Sequence, residues 1–327
     1  MERVFLSVAA LLVAFSLDCL IGDPPRWPHP VRLLGAAVTI LDNGARRLFG
    51  SPAGLKVAGL FIVIIAAGGF AVVIALLITF FYRLHVVAGW VLEVYILFTM
   101  LAGGDLHRHV SKVGKELAGG HLEKARMSVA MLVSRDTRSM DESGISRATL
   151  ESLFENSADG MIAPLFFIAL GGAPLAAFYK AVNTLDSMLG YKSERYEYLG
   201  FFPARLDDIL SFIPSRLTAL FLLLAGLFKK GFIRGVQVLS VDRHKHDSPN
   251  SAWPEAAAAG VLGLKFGGPD YYHGQLKKQP VINEYGRDPG PLDIAGGLAL
   301  FWGASIPAFA LFLYLYYRFG SWEVFIL

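Results

Sequence analysis

Charge and cysteine are both scarce in this chain. Only 17% of its 327 residues are charged, and Cys19 is the one cysteine, which excludes an internal disulfide and a zinc site built from several cysteines. The net charge is only +3 and no basic cluster is interleaved with aromatic residues, so we expect no nucleic acid partner. There is no G-x-x-x-x-G-K-[ST] pattern either, and any nucleotide site is therefore not a P-loop.

What the chain does have is long apolar sequence, with a mean hydropathy of +0.49. The uncharged runs Val57–Tyr82 and Ile294–Tyr317 each exceed 20 residues, enough to cross a bilayer. We interpret the first apolar run as a retained span, because no small-residue cleavage site follows it. The sequence therefore predicts an all-α polytopic membrane protein with about four full spans, near 4–20, 57–82, 86–101 and 294–317.

Two further apolar stretches are interrupted. Met161–Tyr179 contains Pro164, Gly171-Gly172 and Pro174, and the short run Leu217–Phe228 follows Pro214. Proline and glycine at this density favour broken helices. We predict two re-entrant or broken helical segments, near 161–179 and 209–228. The polar regions 22–56, 103–160, 180–208 and 229–293 then form cytoplasmic helices and loops of a single catalytic membrane domain, 1–327.

The distribution of Lys and Arg predicts the orientation. If both broken segments dip in and return, one face carries 27 of the 30 basic residues; if all six stretches cross, the division is 22 to 7 with one inside a span. The positive-inside rule favours the first threading and makes the basic face cytoplasmic. We therefore expect a multi-pass protein of the cell membrane whose polar motifs face the cytoplasm.

An acidic helical face enters the first broken segment. One cation and three carboxylates recur every four residues, namely Arg147, Glu151, Glu155 and Asp159. This spacing stacks them on one side of a helix, which Ser143 or Ser146 can cap. Like charges at this spacing repel, so the face needs a counter-ion, either basic side chains or a divalent metal. The alternative is an ordinary solvated surface helix.

Other polar residues allow two interpretations. The proline-rich loop Gly22–Val31 holds Asp23 and His29 in fixed directions, or is only a rigid connector. Glu93, near the centre of a span, must face protein or water. The pair His244 and His246 suggests a metal, but without a third convergent ligand such pairs are more often surface residues.

Several motifs follow one another along the chain, and together they carry a resemblance. In order they are Gly22-Asp23-Pro24 with Pro28-His29-Pro30-Val31, Arg135-Asp136-Thr137, Glu151 through Phe166, Asn183-Thr184-Leu185-Asp186-Ser187 with Gly190-Tyr191, Ala204-Arg205-Leu206-Asp207-Asp208, Ser248-Pro249-Asn250 with Pro254-Glu255-Ala256, and Gly267-Gly268-Pro269. From Leu17 to Gly274 the chain resembles the adenosylcobinamide-phosphate synthases (cobinamide synthases) of cobalamin biosynthesis. It departs from the family pattern at Ala252 and Ser211, where glycine and asparagine are usual.

The resemblance implies an ATP-dependent acid–amine ligase. Such an enzyme joins the free propionate of adenosylcobyric acid to (R)-1-aminopropan-2-ol phosphate, or to the free amino alcohol, and gives adenosylcobinamide phosphate. It implies ATP and Mg²⁺ as cofactors, with the corrinoid as substrate rather than cofactor. Other membrane-bound late enzymes of the pathway, such as cobalamin synthase, are the expected protein partners.

The resemblance also implies roles for individual residues. The expected catalytic carboxylates are Glu151, Glu155, Asp159, Asp207 and Asp208. The expected Mg²⁺ ligands are Glu155, Asp159 and Asp208. The expected substrate-binding residues are Asp23, His29, Arg135, Asp136, Asn156, Asn183, Asp186, Arg205, Arg216, Asn250 and Glu255.

Two other functions compete with the ligase. One is a non-catalytic membrane sensor of the related β-lactamase-regulation type, which shares part of the motif pattern. The other is a transporter built on the broken helix and the intramembrane Glu93. The chain has no internal repeat, which weakens the transporter, and the acidic motifs together with Ser248-Pro249-Asn250 and Glu255 favour the enzyme over the sensor.

The predicted threading can be tested by site-directed labelling. With Cys19 replaced, cysteines placed at Ser157 and Ser193 should react with a membrane-impermeant maleimide from the cytoplasmic side alone, because both flanks of 161–179 are expected on that side. Labelling of Ser193→Cys from outside would mean that this segment crosses the membrane.

Overall fold

The computed structural model describes residues 2–24, 26–191, 195–227, 231–272 and 274–319. They form two compact units. The first unit comprises Met1–Ala102, Ala163–Ser211 and Ala310–Leu327, and the second comprises Gly103–Ile162 and Phe212–Phe309. The expectation of one catalytic domain concerns function and stays a prediction.

Helices account for most of the described chain. Fourteen α-helices are described: α1 Glu2–Ile21, α2 Pro30–Leu48, α3 Pro52–Ile62, α4 Gly69–Leu84, α5 Val86–Met100, α6 Gly103–Ala118, α7 Leu122–Val129, α8 Glu142–Ser157, α9 Ala163–Leu189, α10 Phe201–Leu210, α11 Phe212–Gly226, α12 Phe232–Asp242, α13 Ala252–Leu262 and α14 Asp293–Phe319. Two π-helical segments, Val63–Gly68 and Ala158–Ile162, join α3 to α4 and α8 to α9.

Within the described residues, five helical stretches are long and apolar enough to cross a membrane. They are Arg3–Ile21, Pro52–Leu84, Val86–Ala118, Glu142–Leu189 and Asp293–Phe319, and the pair α10 and α11 makes a sixth if it counts as one span. The predicted mostly helical, polytopic membrane fold is therefore confirmed.

Both predicted breaks are present. Inside α9 the backbone leaves helical geometry at Gly171 and Gly172, and Gly172 has a φ of 63°, a conformation that glycine adopts without steric cost. Helices α10 and α11 meet at Ser211 with a bend of 44°. Pro214 lies in the first turn of α11, where a missing backbone N–H costs no helical hydrogen bond.

The proline-rich loop ends in a helix that the sequence analysis did not predict. Residues 22–24 and 26–29 are non-helical, as expected, but α2 begins at Pro30, a residue suited to the first helical position. His29 caps it, since its Nδ1 accepts a hydrogen bond from the Val31 N–H (3.3 Å). In the first unit, Leu34 and Val38 of α2 share a buried cluster with residues of α3 and α9.

Helix α8 carries the acidic face, and its start differs from the prediction. The N-cap is Asp141, whose Oδ1 accepts from the Gly144 N–H (2.7 Å), so neither Ser143 nor Ser146 is the cap. The four-residue spacing holds through Glu155. Asp159 lies in the following π-helical segment, where an α-helical repeat no longer applies.

A β-hairpin in the second unit was not predicted. Strand β1, Phe266–Tyr272, pairs antiparallel with β2, Gln275–Ile282, and a register shift falls between Gly267 and Pro269. The strands are rich in glycine, lysine and glutamine and lack the apolar alternation that identifies a strand. This hairpin carries residues of the candidate site.

The labelling positions need adjustment to this structure. Ser157 is only 2% exposed, so a cysteine there is shielded from reagent, and Ser193 lies outside the described residues. Ser139, before α8, and Ser187, near the end of α9, are both exposed and flank the same broken segment. They are the better positions for the labelling test.

Close packing against the backbone makes Gly59 of the first unit sensitive to substitution. A Cβ at Gly59 in α3 would lie 2.2 Å from the carbonyl oxygen of Leu199. Gly59→Ala should destabilise the fold by about 1–3 kcal/mol, as overpacking does. Gly44→Ala is the matched control, because nothing lies within 4 Å of its Cβ position, and it should be neutral or stabilising. Equal thermal unfolding midpoints of the two variants in detergent would contradict this packing.

Candidate active site

A buried network of four charged side chains joins helix α8 to strand β1. Arg135 Nη1 donates to Glu151 Oε2 (2.8 Å) and to Asp270 Oδ2 (2.6 Å). Arg147, one turn before Glu151 on α8, donates through Nη2 to Asp270 Oδ1 (2.9 Å). Two arginines thus face two carboxylates, and the formal charges cancel. Side-chain exposure is 11% for Arg135, 5% for Glu151 and 6% for Asp270, so the ions depend on each other rather than on water.

The backbone of the hairpin completes the network. The Gly267 N–H donates to Glu151 Oε1 (2.6 Å). Gly267 has a φ of +72°, and a Cβ there would lie 2.1 Å from the Pro280 carbonyl oxygen, so only glycine fits. At the other end of β1, the Asp136 N–H donates to the Tyr271 carbonyl oxygen and Asp136 Oδ2 accepts from the Gly274 N–H. Arg135 and Asp136 together hold the hairpin against α8.

The network keeps Arg135 charged. Burial alone would lower the pKa of Arg135, but the carboxylates of Glu151 and Asp270 outweigh it and raise the pKa above the ordinary value for arginine. Both oxygens of Glu151 also have close donors. This is the arrangement of a structural ion network, and it accounts for Glu151, Arg135 and Asp136 without catalysis. Their predicted catalytic and substrate-binding roles stay predictions.

One turn further along α8 the surroundings change. Glu155 Oε1 accepts a hydrogen bond from Ser251 Oγ (2.9 Å), its one hydrogen bond to a side chain in the described part of the chain. Ligand atoms of Glu155, His246 and Glu255 all lie within 4.8 Å of one another. Glu255, in the first turn of α13, is 6% exposed. Its carboxylate has no hydrogen bond or ion pair to any residue that the structure describes.

The environment of Glu255 disfavours a carboxylate ion. Burial raises the pKa of Glu255, the negative charges of Glu155 and Glu151 raise it further, and Arg135 only partly opposes them. The pKa therefore lies well above the ordinary value for glutamate. Glu155 and Glu255 form a carboxylate pair, and no cation among the described residues forms an ion pair with it.

Two cavities lie in the second unit. The smaller one, of about 100 Å³, adjoins the carboxylate pair, and six of its lining residues are Lys245, His246, Glu255, Gly267, Lys277 and Lys278. The larger one, of about 580 Å³, shares Lys245 and is also lined by Arg234, Asp242 and Tyr285. Its volume lies in the range of small-molecule sites. Glu255 of the carboxylate pair thus lines a small cavity with basic walls.

Arg216 and Asn250, both predicted to bind substrate, contact each other. Arg216 Nη1 donates to Asn250 Oδ1 (2.8 Å) and to the Phe212 carbonyl oxygen (2.8 Å). The guanidinium carbon lies 3.5 Å from the centre of the Phe212 ring and 4.5 Å from that of Trp253. These contacts position the loop that precedes α13, which carries Ser251. Asn156 of α8 is used locally, donating to the Ser152 carbonyl oxygen (2.9 Å).

The remaining predicted site residues belong to the first unit. Asp23 lies 3.2 Å from Arg32 and 3.7 Å from His29, and Asn183 Nδ2 donates to Asp207 Oδ1 (3.3 Å). The first unit holds these predicted residues: Asp23, His29, Asn183, Asp186, Arg205, Asp207 and Asp208. The second unit holds the others, and among them it brings Glu155 and Glu255 together. The predicted Mg²⁺ set of Glu155, Asp159 and Asp208 includes residues of both units and stays a prediction.

Sequence reasoning missed four residues of this region. Asp270 follows the recognised Gly267-Gly268-Pro269 motif directly, and that proximity was the available signal. The sequence favours a surface position for His246, but the side chain is only partly exposed and lies beside Glu155 and Glu255. Lys277 and Lys278 lie on the unpredicted strand β2, and nothing in the local sequence associates them with the acidic residues.

The fold and the site together define a class of protein, a polytopic membrane protein with a buried, carboxylate-rich polar centre. The family described as CobD/CbiB protein matches residues 11–301. The chain is 42% identical over 309 residues to the cobalamin biosynthesis protein CobD of Klebsiella pneumoniae, which covers 94% of this chain and 97% of that protein. It is 41% identical to CbiB of Salmonella arizonae and 40% identical to CobD of Citrobacter koseri, with the same coverage.

The chain belongs to the CobD/CbiB family of cobalamin biosynthesis proteins. The resemblance inferred from the motifs is thereby confirmed. No solved structure matches the chain.

The ion network predicts a stability difference between two aspartates of the same unit. Asp270→Asn leaves Arg135 and Arg147 facing one buried carboxylate and should cost about 3–5 kcal/mol. Asp247→Asn breaks the pair with Lys277, whose side chains are more than half exposed, and should cost less than about 1 kcal/mol. Thermal unfolding in detergent measures both. Equal losses would mean that the buried network contributes no more than a surface pair.

Proposed function

We propose that this protein is an ATP-dependent acid–amine ligase that joins adenosylcobyric acid to aminopropanol phosphate, or to free aminopropanol, to give adenosylcobinamide phosphate or its unphosphorylated counterpart. Membership of a cobalamin biosynthesis family supports the corrinoid substrate. The observation that carries the ligase chemistry is the pair of Glu155 and the buried Glu255, which has no counter-ion among the described residues and whose Glu255 lines a cavity together with lysines. Charge of both signs is what a phosphoryl-activated condensation needs.

The reaction balances as two displacements. A propionate oxygen attacks the γ-phosphorus of ATP, the bond to the bridging oxygen breaks, and ADP leaves with that electron pair. The ammonium group gives up a proton to a base, and its lone pair attacks the acyl carbon. Phosphate leaves with the electrons of the acyl–oxygen bond and takes the second nitrogen proton, and the amide remains. A carboxylate does not condense with an amine in water without such activation.

The residues of the second unit fit the demands of this reaction. A carboxylate that holds no metal can accept the proton of the ammonium, a role for which Asp and Glu are common. Lys277 and Lys278, at the small cavity, can bind phosphate oxygens as point charges. When bound, Mg²⁺ supplies positive charge at the phosphate oxygens. The uncompensated carboxylate pair suits such a cation.

The alternatives have less support. A transporter would use the intramembrane carboxylate Glu93, but this side chain is 3% exposed and accepts a hydrogen bond from Tyr82 Oη (2.5 Å) inside the first unit. That contact satisfies the buried acid locally. A sensor needs no acid–base groups, and no observation favours it specifically. We place the proposed active site on the cytoplasmic side, because ATP is there and the basic residues favour that face.

The direct test is a reconstitution. Purified protein in detergent would be incubated with adenosylcobyric acid, aminopropanol phosphate and Mg-ATP, and the amide would be measured by mass spectrometry. We expect one amide for each ATP consumed and no product when ATP or the amine is omitted. A corrinoid that binds but is never converted, under conditions where a homologous synthase forms amide, would overturn the ligase.

Two carboxylates should be needed for turnover. Glu155→Gln and Asp208→Asn should each reduce amide formation by about 10²–10⁴-fold or more, because each removes a predicted base or metal ligand. Glu123→Gln, at an exposed pair with Arg126, is the control and should leave the rate unchanged. Near-normal rates in both test variants, with the protein folded, would remove these carboxylates from the mechanism.

A further inference from the structure

Glu155 and the buried Glu255 lie side by side without a side-chain cation from the described residues. Glu255 is 6% exposed and has no hydrogen-bonding partner in the described part of the chain, while Glu155 has only the hydroxyl of Ser251. A buried, unpaired carboxylate costs several kcal/mol, and a second one nearby adds repulsion. Such groups persist in proteins when something binds them.

The nearby arginines do not supply the missing charge. Arg135 and Arg147 are bonded to Glu151 and Asp270, and that network is already neutral. Arg216 is bonded to Asn250 and stacked between two aromatic rings. Within the described residues, no other cation forms an ion pair with Glu155 or Glu255. No side chain of the described residues therefore supplies a cation to this pair, and a metal ion that binds it comes from solution.

We infer that Glu155 and Glu255 together bind one hard divalent cation of the Mg²⁺ type. The site goes beyond the sequence-based expectation, in which Glu255 contacts substrate and the metal is held by Glu155, Asp159 and Asp208. Proteins usually contribute one or two carboxylates to a Mg²⁺ site. Water and a ligand phosphate complete the coordination shell. The binding site stands on the geometry alone, and its use in catalysis rests on the proposed ligase function.

The hydrogen bonding of His246 favours a hard metal ion over a softer one. Its Nδ1 accepts a hydrogen bond from the Ser248 N–H (3.0 Å). The neutral ring then carries its proton on Nε2, so neither nitrogen has a free lone pair for a metal. Zinc and similar ions favour imidazole nitrogen, whereas Mg²⁺ and Mn²⁺ favour oxygen. His246 is therefore an outer hydrogen-bonding group, and the two glutamates are the inner ligands.

The cavity beside the pair indicates what else the cation contacts. Glu255 and His246 line the space of about 100 Å³ together with Lys277 and Lys278. Lys278 has no ion pair to any described residue, and Lys277 is paired only with the exposed Asp247. A cation on one side and two ammonium groups on another suit the oxygens of a phosphate group. The shared ligand chemistry is that of a nucleotide phosphate or the phosphate of the amino alcohol.

Direct metal binding tests the site without any substrate. Full-length protein in detergent would be titrated with Mn²⁺, and free Mn²⁺ followed by electron paramagnetic resonance. Wild type should bind one Mn²⁺ that Mg²⁺ displaces. Glu155→Gln and Glu255→Gln should each weaken binding by at least about tenfold, since even outer partners of metal ligands cost that much. Glu123→Gln should bind as wild type does.

Two outcomes would overturn the inference. If Glu255→Gln binds Mn²⁺ as wild type does, the pair is not the site. If His246→Ala loses as much affinity as the glutamate variants, and Zn²⁺ displaces Mn²⁺ better than Mg²⁺ does, the site is of a softer, histidine-ligated kind. Inorganic phosphate or ADP would then be added, and Mn²⁺ affinity measured again. Tighter Mn²⁺ binding shows that the site also receives phosphate, and tighter binding with ADP alone identifies the nucleotide as the source of that phosphate.

Thermal unfolding distinguishes a variant that has lost metal binding from one that has lost its fold. Glu255→Gln should unfold at the same temperature as wild type or at a higher one when metal is absent, because the amide places no charge at this buried position. Mn²⁺ should raise the unfolding temperature of wild type and leave that of the variant unchanged. A drop in both metal-free stability and metal response would make Glu255 a structural residue and defeat the inference. Because no corrinoid or amine is present, metal binding without ligation would refute only the proposed function.

Discussion

The guanidinium of Arg135 between Glu151 and Asp270 is the contact on which the candidate site depends. Those side chains are almost fully buried, so none can lose its partner without a large penalty. Arg147 closes the network from the same helix, and the Gly267 N–H adds a backbone donor. Helix α8 and strand β1 are thereby held in one register. The register in turn brings Glu155 opposite the loop and helix that carry Ser251 and Glu255.

The acidic face of α8 therefore divides into two parts with different physics. At Glu151 every negative charge is matched and every oxygen has a donor, as in a structural ion network. One helical turn later, Glu155 lies beside the buried Glu255 with no cation from the described chain. The first part stabilises the fold and the second can bind or react. A sequence pattern with equal spacing does not distinguish them, because the difference lies in partners far along the chain.

The predictable features were those set by local sequence. Span lengths follow from uncharged runs, and the helix breaks follow from Gly171-Gly172 and Pro214, whose backbone preferences hold in any context. The hairpin could not be foreseen from Lys277, Lys278 and Gln279, which show no strand pattern. Asp270 lies 135 residues from its partner Arg135, and a pairing at that distance is fixed by tertiary structure. Glu255 lies beside Glu155 for the same reason, since the two residues are far apart in the sequence.

The division of the acidic face can be tested most directly at Glu151, by measuring thermal unfolding and amide formation on the same preparation of Glu151→Gln. A structural role predicts a stability loss of about 3–5 kcal/mol. At temperatures where the variant is still folded, its rate of amide formation should fall much less than the ~10²–10⁴-fold caused by removal of an acid–base group. Unchanged stability together with abolished turnover would contradict the account and make Glu151 a chemical group of the active site.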